Sequence, residues 1–243
     1  MRSEETFDEL RAYDLKVIQQ RHGYRFSLDP LLLCDFVELH EGERVIDLGS
    51  GCGVIPLILA GKARNTEVTG VEMQEAMAEL AARNVALNGL SDRISICRDD
   101  VTGLKSRFTA SSFDLVVSNP PYRKRGTGKV SPIPGRDNAR HESTAQLPDF
   151  LAAAKYLVKP SGRICFIYHP SRMTEFFVEA SALKLSPLRL RMVHGNNSAE
   201  ARMFLIELVK GRKGELKILP PLFVYDDNGG YAEEMERIVG TGK

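Results

Sequence analysis

The sequence lacks an excess of charge of either sign, because 33 Lys and Arg residues stand against 32 Asp and Glu residues, for a net charge of +1. Overall charge cannot therefore drive binding to nucleic acid or to an anionic membrane, and any basic surface must be local. No apolar run reaches the roughly 18 residues of a membrane-spanning helix. The start of the chain is acidic, where a signal peptide would be basic and then apolar. We expect a cytoplasmic protein without membrane contact.

Cysteine is also scarce, and its spacing excludes the common metal motifs. Cys34, Cys52, Cys97 and Cys165 form no CxxC pair, and the five histidines are scattered along the chain. Three of the four cysteines lie inside apolar runs, which is typical of buried free thiols in a reducing compartment. We predict neither disulfides nor a structural metal.

The hydrophobic pattern alternates short β-rich runs with helical stretches, and no internal repeat occurs. This alternation is typical of a mostly parallel sheet covered by helices on both faces. The predicted strands are 45–48, 67–71, 94–97, 113–118, 163–168, 187–193 and 202–209, and the predicted helices between them are 56–63, 74–88, 147–158 and 172–183. The loop 195–201 is too short for a helical crossover, so the last two strands should form an antiparallel hairpin.

These elements predict an α/β fold with a doubly wound, Rossmann-like sheet of seven strands in one domain that spans 1–243. The catalytic core would be 44–210, with a C-terminal tail at 211–243 that ends in an acidic helical stretch. The N-terminal segment 1–43 is expected to contain a helix over 28–39, with Asp29 as its N-cap and Pro30 at its first position.

The strongest local pattern is a buried strand that ends at Asp47 and Leu48 and runs directly into a turn containing Gly49, Gly51 and Gly53. Glycine permits the positive φ of a tight turn and lets a ligand approach the backbone closely. Glu72 ends the second predicted strand, where a carboxylate can accept hydrogen bonds from both hydroxyls of a ribose. The pattern predicts a cofactor that contains a nucleoside. The alternative is an ordinary turn beside solvated strand ends.

The spacing G-x-G-x-G, with an acid two positions ahead, differs from the G-x-G-x-x-G of dinucleotide folds. It resembles the first motif of the S-adenosylmethionine-dependent methyltransferases, which release S-adenosylhomocysteine. The resemblance implies that Asp47 and the glycines lie beneath the methionine part of the cofactor and that Glu72 holds the ribose. It places Asp100 and Val101, after the third strand, at the adenine, with Asp100 at the amino group.

The most specific feature is the tetrapeptide Asn119-Pro120-Pro121-Tyr122 after the fourth core strand. Methyl transfer to a planar amino group needs two acceptors that hold both N–H bonds and aim the nitrogen at the methyl carbon. The side-chain oxygen of Asn119 and the carbonyl oxygen of Pro120 suit that role. The prolines stiffen the turn, and Tyr122 offers a ring for stacking. The alternative is a plain turn that ends a strand.

A basic stretch follows the tetrapeptide directly. Residues 123–140 contain six Lys or Arg residues and one acidic residue, Asp137. Such a local excess of charge predicts contact with the phosphates of RNA. The candidate contact residues in and beside it are Arg123, Lys124, Arg125, Arg140 and His141. A solvated loop is the alternative.

The whole chain resembles a bacterial family of tRNA adenine-N6 methyltransferases that modify an adenine beside the anticodon. The matching pieces are 26–33, the glycine turn, 70–72, 119–122, 139–142 and 216–222. The resemblance implies tRNA as substrate and places Phe26, Ser27 and Asp29 at the methionine end of the cofactor. The hairpin loop 195–201 departs from the family pattern, because it lacks the lysine that related chains carry there.

Three other functions stay open from the sequence. The tetrapeptide also occurs in methyltransferases that act on glutamine side chains of translation release factors. An oxidoreductase that uses nicotinamide would need the longer glycine fingerprint. A non-catalytic RNA-binding module would use the basic stretch without the cofactor. The oligomeric state is not predicted.

Overall fold

In the computed structural model, the described residues are 4–21, 25–122 and 145–241. The strands are β1 (Glu5–Leu10), β2 (Leu15–Gln20), β3 (Arg44–Leu48), β4 (Glu67–Glu72), β5 (Ile94–Arg98), β6 (Phe113–Ser118), β7 (Val158–Tyr168), β8 (Leu185–His194), β9 (Ala201–Lys210), β10 (Lys217–Ile218) and β11 (Leu222–Phe223). The α-helices are α1 (Asp29–Phe36), α2 (Val54–Lys62), α3 (Glu75–Leu87), α4 (Leu147–Leu157), α5 (Met173–Ala182) and α6 (Glu233–Val239).

The central sheet has the strand order β10-β8-β9-β7-β6-β3-β4-β5, and β11 also pairs with β8. Strands β3 to β7 are mutually parallel, whereas β9 runs antiparallel to both β7 and β8. The Rossmann-like fold and the antiparallel hairpin are therefore confirmed, since strands β3 to β9 are the seven predicted ones. The tail adds two short strands, β10 and β11, beyond the predicted number.

The sheet is buried on both faces because successive apolar residues of its inner strands point to opposite sides. Val45 and Leu115 belong to the core cluster that includes residues of α1, α2 and α3. Ile46 and Val116 belong to the second cluster, which includes residues of α4 and α5. Since both faces of the sheet are covered, the turns at the carboxyl ends of the parallel strands are the places that carry polar side chains.

The N-terminal segment holds an antiparallel hairpin, β1 with β2, that the sequence did not predict. Asn84 of α3 joins it to the core, because its Oδ1 accepts the Ile18 amide at 2.7 Å while its Nδ2 donates to the carbonyl oxygens of Ile18 and Cys52. Arg83 pairs with the buried Glu5 at 2.5 Å. The hairpin is thereby fixed beside the turn that follows β3.

The cap predicted for α1 is wrong in one respect. Asp29 is the first helical residue, Leu28 holds the cap position, and no side chain caps the helix. The Asp29 amide donates to Ser27 Oγ at 3.3 Å. The carboxyl group of Asp29 is instead engaged in a tertiary contact described below.

None of the helices in the described part of the chain combines the length and the apolar character needed to cross a membrane.

Candidate active site

Three polar turns meet at one edge of the sheet because their strands are in register. Leu48 at the end of β3 pairs with Val71 of β4 on one side and with Ser118 of β6 on the other. The Val71 carbonyl oxygen accepts the amides of Gly49 and Ser50, both at 2.9 Å. Ser118 Oγ donates to the Leu48 carbonyl oxygen at 2.7 Å. The glycine turn therefore lies between Glu72 and the Asn119 turn.

The glycine turn has the backbone that the sequence pattern requires. Gly49, Gly51 and Gly53 have φ values of 81°, 54° and 87°. Side chains disfavour this left-handed region, so all three positions favour glycine. At Gly53 a Cβ atom would also lie 3.2 Å from the Cβ atom of Ala81 on α3. Both the backbone conformation and the packing against α3 therefore favour glycine in this turn, which presents backbone without side chains at the sheet edge.

Glu72 is bonded to the backbone on both sides of its carboxyl group. Its Oε2 accepts the Gly51 amide and its Oε1 accepts the Gln74 amide, each at 2.9 Å. Burial raises the pKa of Glu72, while the backbone hydrogen bonds act in the opposite direction. The side chain is therefore fixed at the glycine turn, at the place where the sequence predicts a ribose.

Asp47 is fully buried in β3. Neither of its carboxyl oxygens has a hydrogen-bond partner among the residues that the structure describes. Burial raises the pKa of Asp47 well above its ordinary value, and the neighbouring charge of Glu72 raises it further. A buried acceptor without a partner is costly, and a positively charged ligand at this place would offset that cost. The site therefore fits a cationic cofactor better than an anionic one.

Asp100 and Val101 follow β5 at the same edge. Asp100 Oδ1 accepts both the amide and the hydroxyl of Thr102 at 2.8 Å, which caps a 3-10 helix over Val101–Ser106. Val101 is buried. These residues form the far side of the site from the Asn119 turn, with β4 and β3 between them.

The Asn119 turn leaves β6 beside the glycine turn. Pro120 is buried, while Asn119 and Tyr122 are half-buried. The Tyr122 hydroxyl donates to Asn119 Oδ1, and it also lies 3.1 Å from Asp29 Oδ2. The Tyr122 ring meets Tyr168 edge-on, with 5.4 Å between centroids and 80° between planes. The turn therefore presents an amide oxygen and an aromatic ring together.

The N-terminal candidates reach this edge through α1 and the chain before it. Phe26 is half-buried against the core, and its amide donates to Gln19 Oε1 at 3.0 Å. Ser27 is exposed and accepts from Asp29 as described above. Of the three, Asp29 is the one bonded to the Asn119 turn.

Arg172 is a site residue that sequence reasoning missed. It follows β7, and its Nη1 donates to the Tyr122 carbonyl oxygen at 3.2 Å and to the Tyr168 hydroxyl. Its other nitrogens bind Glu175 at 2.5 and 3.0 Å. The only sequence signal was its place at the carboxyl end of a neighbouring strand. Arg172 holds the backbone of the turn from the side of β7.

The predicted substrate residues Arg123, Lys124, Arg125, Arg140 and His141 lie outside the described residues. The described ranges contain no cluster of three or more His, Cys, Asp or Glu side chains that could hold a metal ion.

Comparison with known proteins gives matches over most of the chain. A family model described as the methyltransferase small domain matches residues 29–182. A relative from Porphyromonas gingivalis strain W83, named tRNA1(Val) (adenine(37)-N6)-methyltransferase, is 34% identical over 68% of this chain. That match spans 65% of the relative, just under two thirds of its length. A relative of the same name from Serratia proteamaculans is 29% identical, and the match covers 92% of this chain and 85% of the relative's length.

Solved structures share the fold. A structure described as a predicted O-methyltransferase from Agrobacterium tumefaciens superposes with a TM-score of 0.72 and 22% identity over 87% of this chain and 95% of its own. The structure of TrmN from Thermus thermophilus gives a TM-score of 0.57 and 22% identity, and the match covers 75% of this chain and 48% of the TrmN chain.

Proposed function

The chain belongs to the methyltransferase small domain family, and we propose that it transfers the methyl group of S-adenosylmethionine to N6 of an adenine in tRNA near the anticodon. Family membership confirms the expectation of a methyltransferase with this cofactor. The relatives from Porphyromonas and Serratia carry the name of a tRNA adenine-N6 methyltransferase, which supports the choice of acceptor.

The observation that carries the proposal is the register of β3 with β6. Leu48 pairs with Ser118, so the glycine turn and the Asn119 turn leave neighbouring strands at the same level. Neighbouring strands lie roughly 5 Å apart. A cofactor on the glycine turn is therefore within reach of an acceptor on the Asn119 turn, as in-line transfer requires.

We assign the cofactor contacts as follows. Glu72 would accept from the ribose hydroxyls, and Asp100 Oδ2 would accept from the adenine amino group. Asp47 would face the methionine part, whose charge suits a buried carboxylate. The glycine turn, with Phe26 and Val101, would line the remaining surface. The bound cofactor supplies a methyl group on a positively charged sulfur.

We assign the acceptor contacts to the Asn119 turn. Asn119 Oδ1 and the Pro120 carbonyl oxygen would accept both N–H bonds of the amino group, which directs its nitrogen at the methyl group and stabilises the charge that develops on it. The Tyr122 ring would stack on the base, a contact worth about 1 to 3 kcal/mol. A base in a stacked helix must first be flipped out to reach this turn. The proton lost from the methylated nitrogen can pass to water, so no general base is assigned.

The basic stretch 123–140 supports RNA as the acceptor, because a protein of near-zero net charge concentrates positive charge beside its reacting turn. Cytoplasmic tRNA is the acceptor that we propose.

The RNA assignment is tested by adding the purified protein and S-adenosylmethionine with a tritiated methyl group to an extract from cells that lack the protein. We expect the label to appear in the tRNA fraction and to disappear after ribonuclease treatment of the extract. Label that survives ribonuclease and follows protein would contradict the proposal and would favour the glutamine acceptor.

Asp47→Asn tests the cofactor assignment and the electrostatics of the site together. The pKa of Asp47 is raised from an ordinary 3.8 by burial, so the folded state binds more protons than the unfolded chain above that pH. Its contribution to stability therefore falls as pH rises from about 4 through the raised pKa. We expect the variant to raise the unfolding midpoint of the cofactor-free protein at pH 7 by about 2 °C or more.

The same variant should bind S-adenosylmethionine more weakly in titration calorimetry, since an amide cannot ionise to balance the positive charge of the cofactor. Asp92→Asn is the control, because Asp92 is exposed on a turn before β5. A lower midpoint with unchanged cofactor affinity would contradict the assignment of Asp47.

A further inference from the structure

The Tyr122 hydroxyl lies between two acceptors that come from different parts of the chain. It donates to Asn119 Oδ1 of its own turn. It also lies 3.1 Å from Asp29 Oδ2, at the start of α1. We propose that Asp29 is a positioning residue, which takes the Tyr122 hydroxyl away from Asn119 when an acceptor amino group arrives. The inference rests on the proposed function of the Asn119 turn.

The need for a second acceptor follows from the number of hydrogens. A tyrosine hydroxyl carries one hydrogen, so it makes one strong donation at a time. Under the proposed function, Asn119 Oδ1 must accept from the amino group of the substrate. An amide oxygen has two lone pairs, and a donation from Tyr122 occupies one of them and weakens the oxygen as an acceptor for the amino group. The reaction is therefore favoured when the hydroxyl points elsewhere.

Asp29 is well suited to receive the hydroxyl. A hydrogen bond to a charged carboxylate is roughly twice as strong as one between neutral groups. The backbone at Asp29 is held in place because its amide is bonded to Ser27 Oγ and because Pro30 and Leu31, which follow it, are buried. Movement of the hydroxyl from Asn119 to Asp29 needs no movement of α1.

The same contact sets the orientation of the Tyr122 ring. Arg172 holds the Tyr122 carbonyl oxygen at 3.2 Å, and Tyr168 packs edge-on against the ring. Arg172 thus holds the backbone that carries the ring, while the contact with Tyr168 and a hydroxyl anchored on Asp29 limit the rotation of the ring itself. Because the Tyr122 ring is the proposed stacking surface, Asp29 would affect both the availability of Asn119 Oδ1 and the orientation of that ring.

This role differs from the one that family resemblance implies for Asp29, which is contact with the methionine end of the cofactor. A cofactor contact would act on the affinity for S-adenosylmethionine whatever residue stands at 122. A positioning role would act on kcat and would depend on the Tyr122 hydroxyl. The two roles therefore make opposite predictions in a double-mutant cycle.

The test compares wild-type protein, Asp29→Ala, Tyr122→Phe and the double variant in steady-state methyl transfer to unmodified tRNA. We expect Asp29→Ala to lower kcat about 10-fold or more, because the hydroxyl then stays on Asn119. Tyr122→Phe removes the competing hydroxyl, so the double variant should recover to the kcat of Tyr122→Phe alone. Asp29→Asn keeps an acceptor oxygen and should restore part of the activity. The Kd of S-adenosylmethionine should stay within about threefold throughout, since the lost contact is to Tyr122.

Asp35→Ala is the matched control. Asp35 lies on the same helix and pairs with Arg237 at 3.0 Å, so its loss perturbs α1 without touching Tyr122. We expect its kcat to stay within about twofold of wild type. The inference would be overturned if the loss of kcat in the double variant equalled the product of the two single losses. It would also be overturned if Asp29→Ala lowered the affinity for S-adenosylmethionine more than tenfold both with Tyr122 and with phenylalanine at that position.

Failure of the proposed function can be recognised separately, because wild-type protein would then bind the cofactor without methylating tRNA. In that case the unfolding midpoints of the same four proteins decide the inference. Less-than-additive shifts of the midpoint for Asp29→Ala and Tyr122→Phe would support the coupling. Additive shifts would overturn it.

Discussion

Asn119→Ala is expected to lower kcat for methyl transfer to tRNA by about 10²- to 10³-fold, while the Kd of S-adenosylmethionine stays nearly unchanged. The substitution removes one of the two acceptors that aim the amino group and leaves the glycine turn and Glu72 intact. The loss falls on kcat because the contact strengthens as positive charge develops on the nitrogen. Steady-state kinetics with tritiated cofactor, together with titration calorimetry, measures both quantities.

Asn228→Ala is the matched control for this variant, because Asn228 is exposed in the tail and lies far along the sequence from the Asn119 turn. It should behave as wild type in both measurements. Turnover of Asn119→Ala within about threefold of wild type would refute the assigned role, since loss of a preorganised acceptor costs far more than that.

Glu72→Ala should weaken the binding of S-adenosylmethionine by about 100-fold, or ~2.7 kcal/mol. The carboxyl group would lose its proposed bonds to the ribose hydroxyls, and the amides of Gly51 and Gln74 would lose their acceptor. Both effects act on the cofactor site, so calorimetric affinity is the direct measurement. Glu72→Gln retains acceptor oxygen on one side and should lose less.

Glu75→Ala provides the comparison for Glu72. Glu75 lies on the first turn of α3, and its exposed side chain pairs with Arg98 at 3.0 Å. Such a surface pair contributes little, so its loss should leave the affinity nearly unchanged. Equal affinities for Glu72→Ala and Glu75→Ala would remove Glu72 from the cofactor site.

The central sheet could be predicted from the sequence because its strands are short apolar runs separated by helices of clear periodicity. The glycine turn and the Asn119 turn were predictable for a related reason, since each directly follows such a run. Once the strands are parallel, their carboxyl ends must share an edge. The positive φ values of Gly49, Gly51 and Gly53 agree with the argument made for that turn.

Features fixed by tertiary contacts could not be read in the same way. Strand β1 carries three acidic residues and β2 ends in two glutamines, so neither is a continuous apolar run, and the hairpin depends on Asn84, more than sixty positions away from β2. Asp29 before Pro30 is typical of a helix cap, yet the Tyr122 hydroxyl engages its carboxyl group. Arg172 reaches Tyr122 only because β7 lies beside β6. Local pattern carries no information about these contacts.

The most direct test of the central claim is analysis of the methylated product. Purified protein should be incubated with unmodified tRNA and S-adenosylmethionine carrying a tritiated methyl group, and the tRNA should then be digested to nucleosides. We predict that the label elutes with N6-methyladenosine. Label in any other nucleoside, or none in RNA while the protein binds the cofactor, would contradict the account.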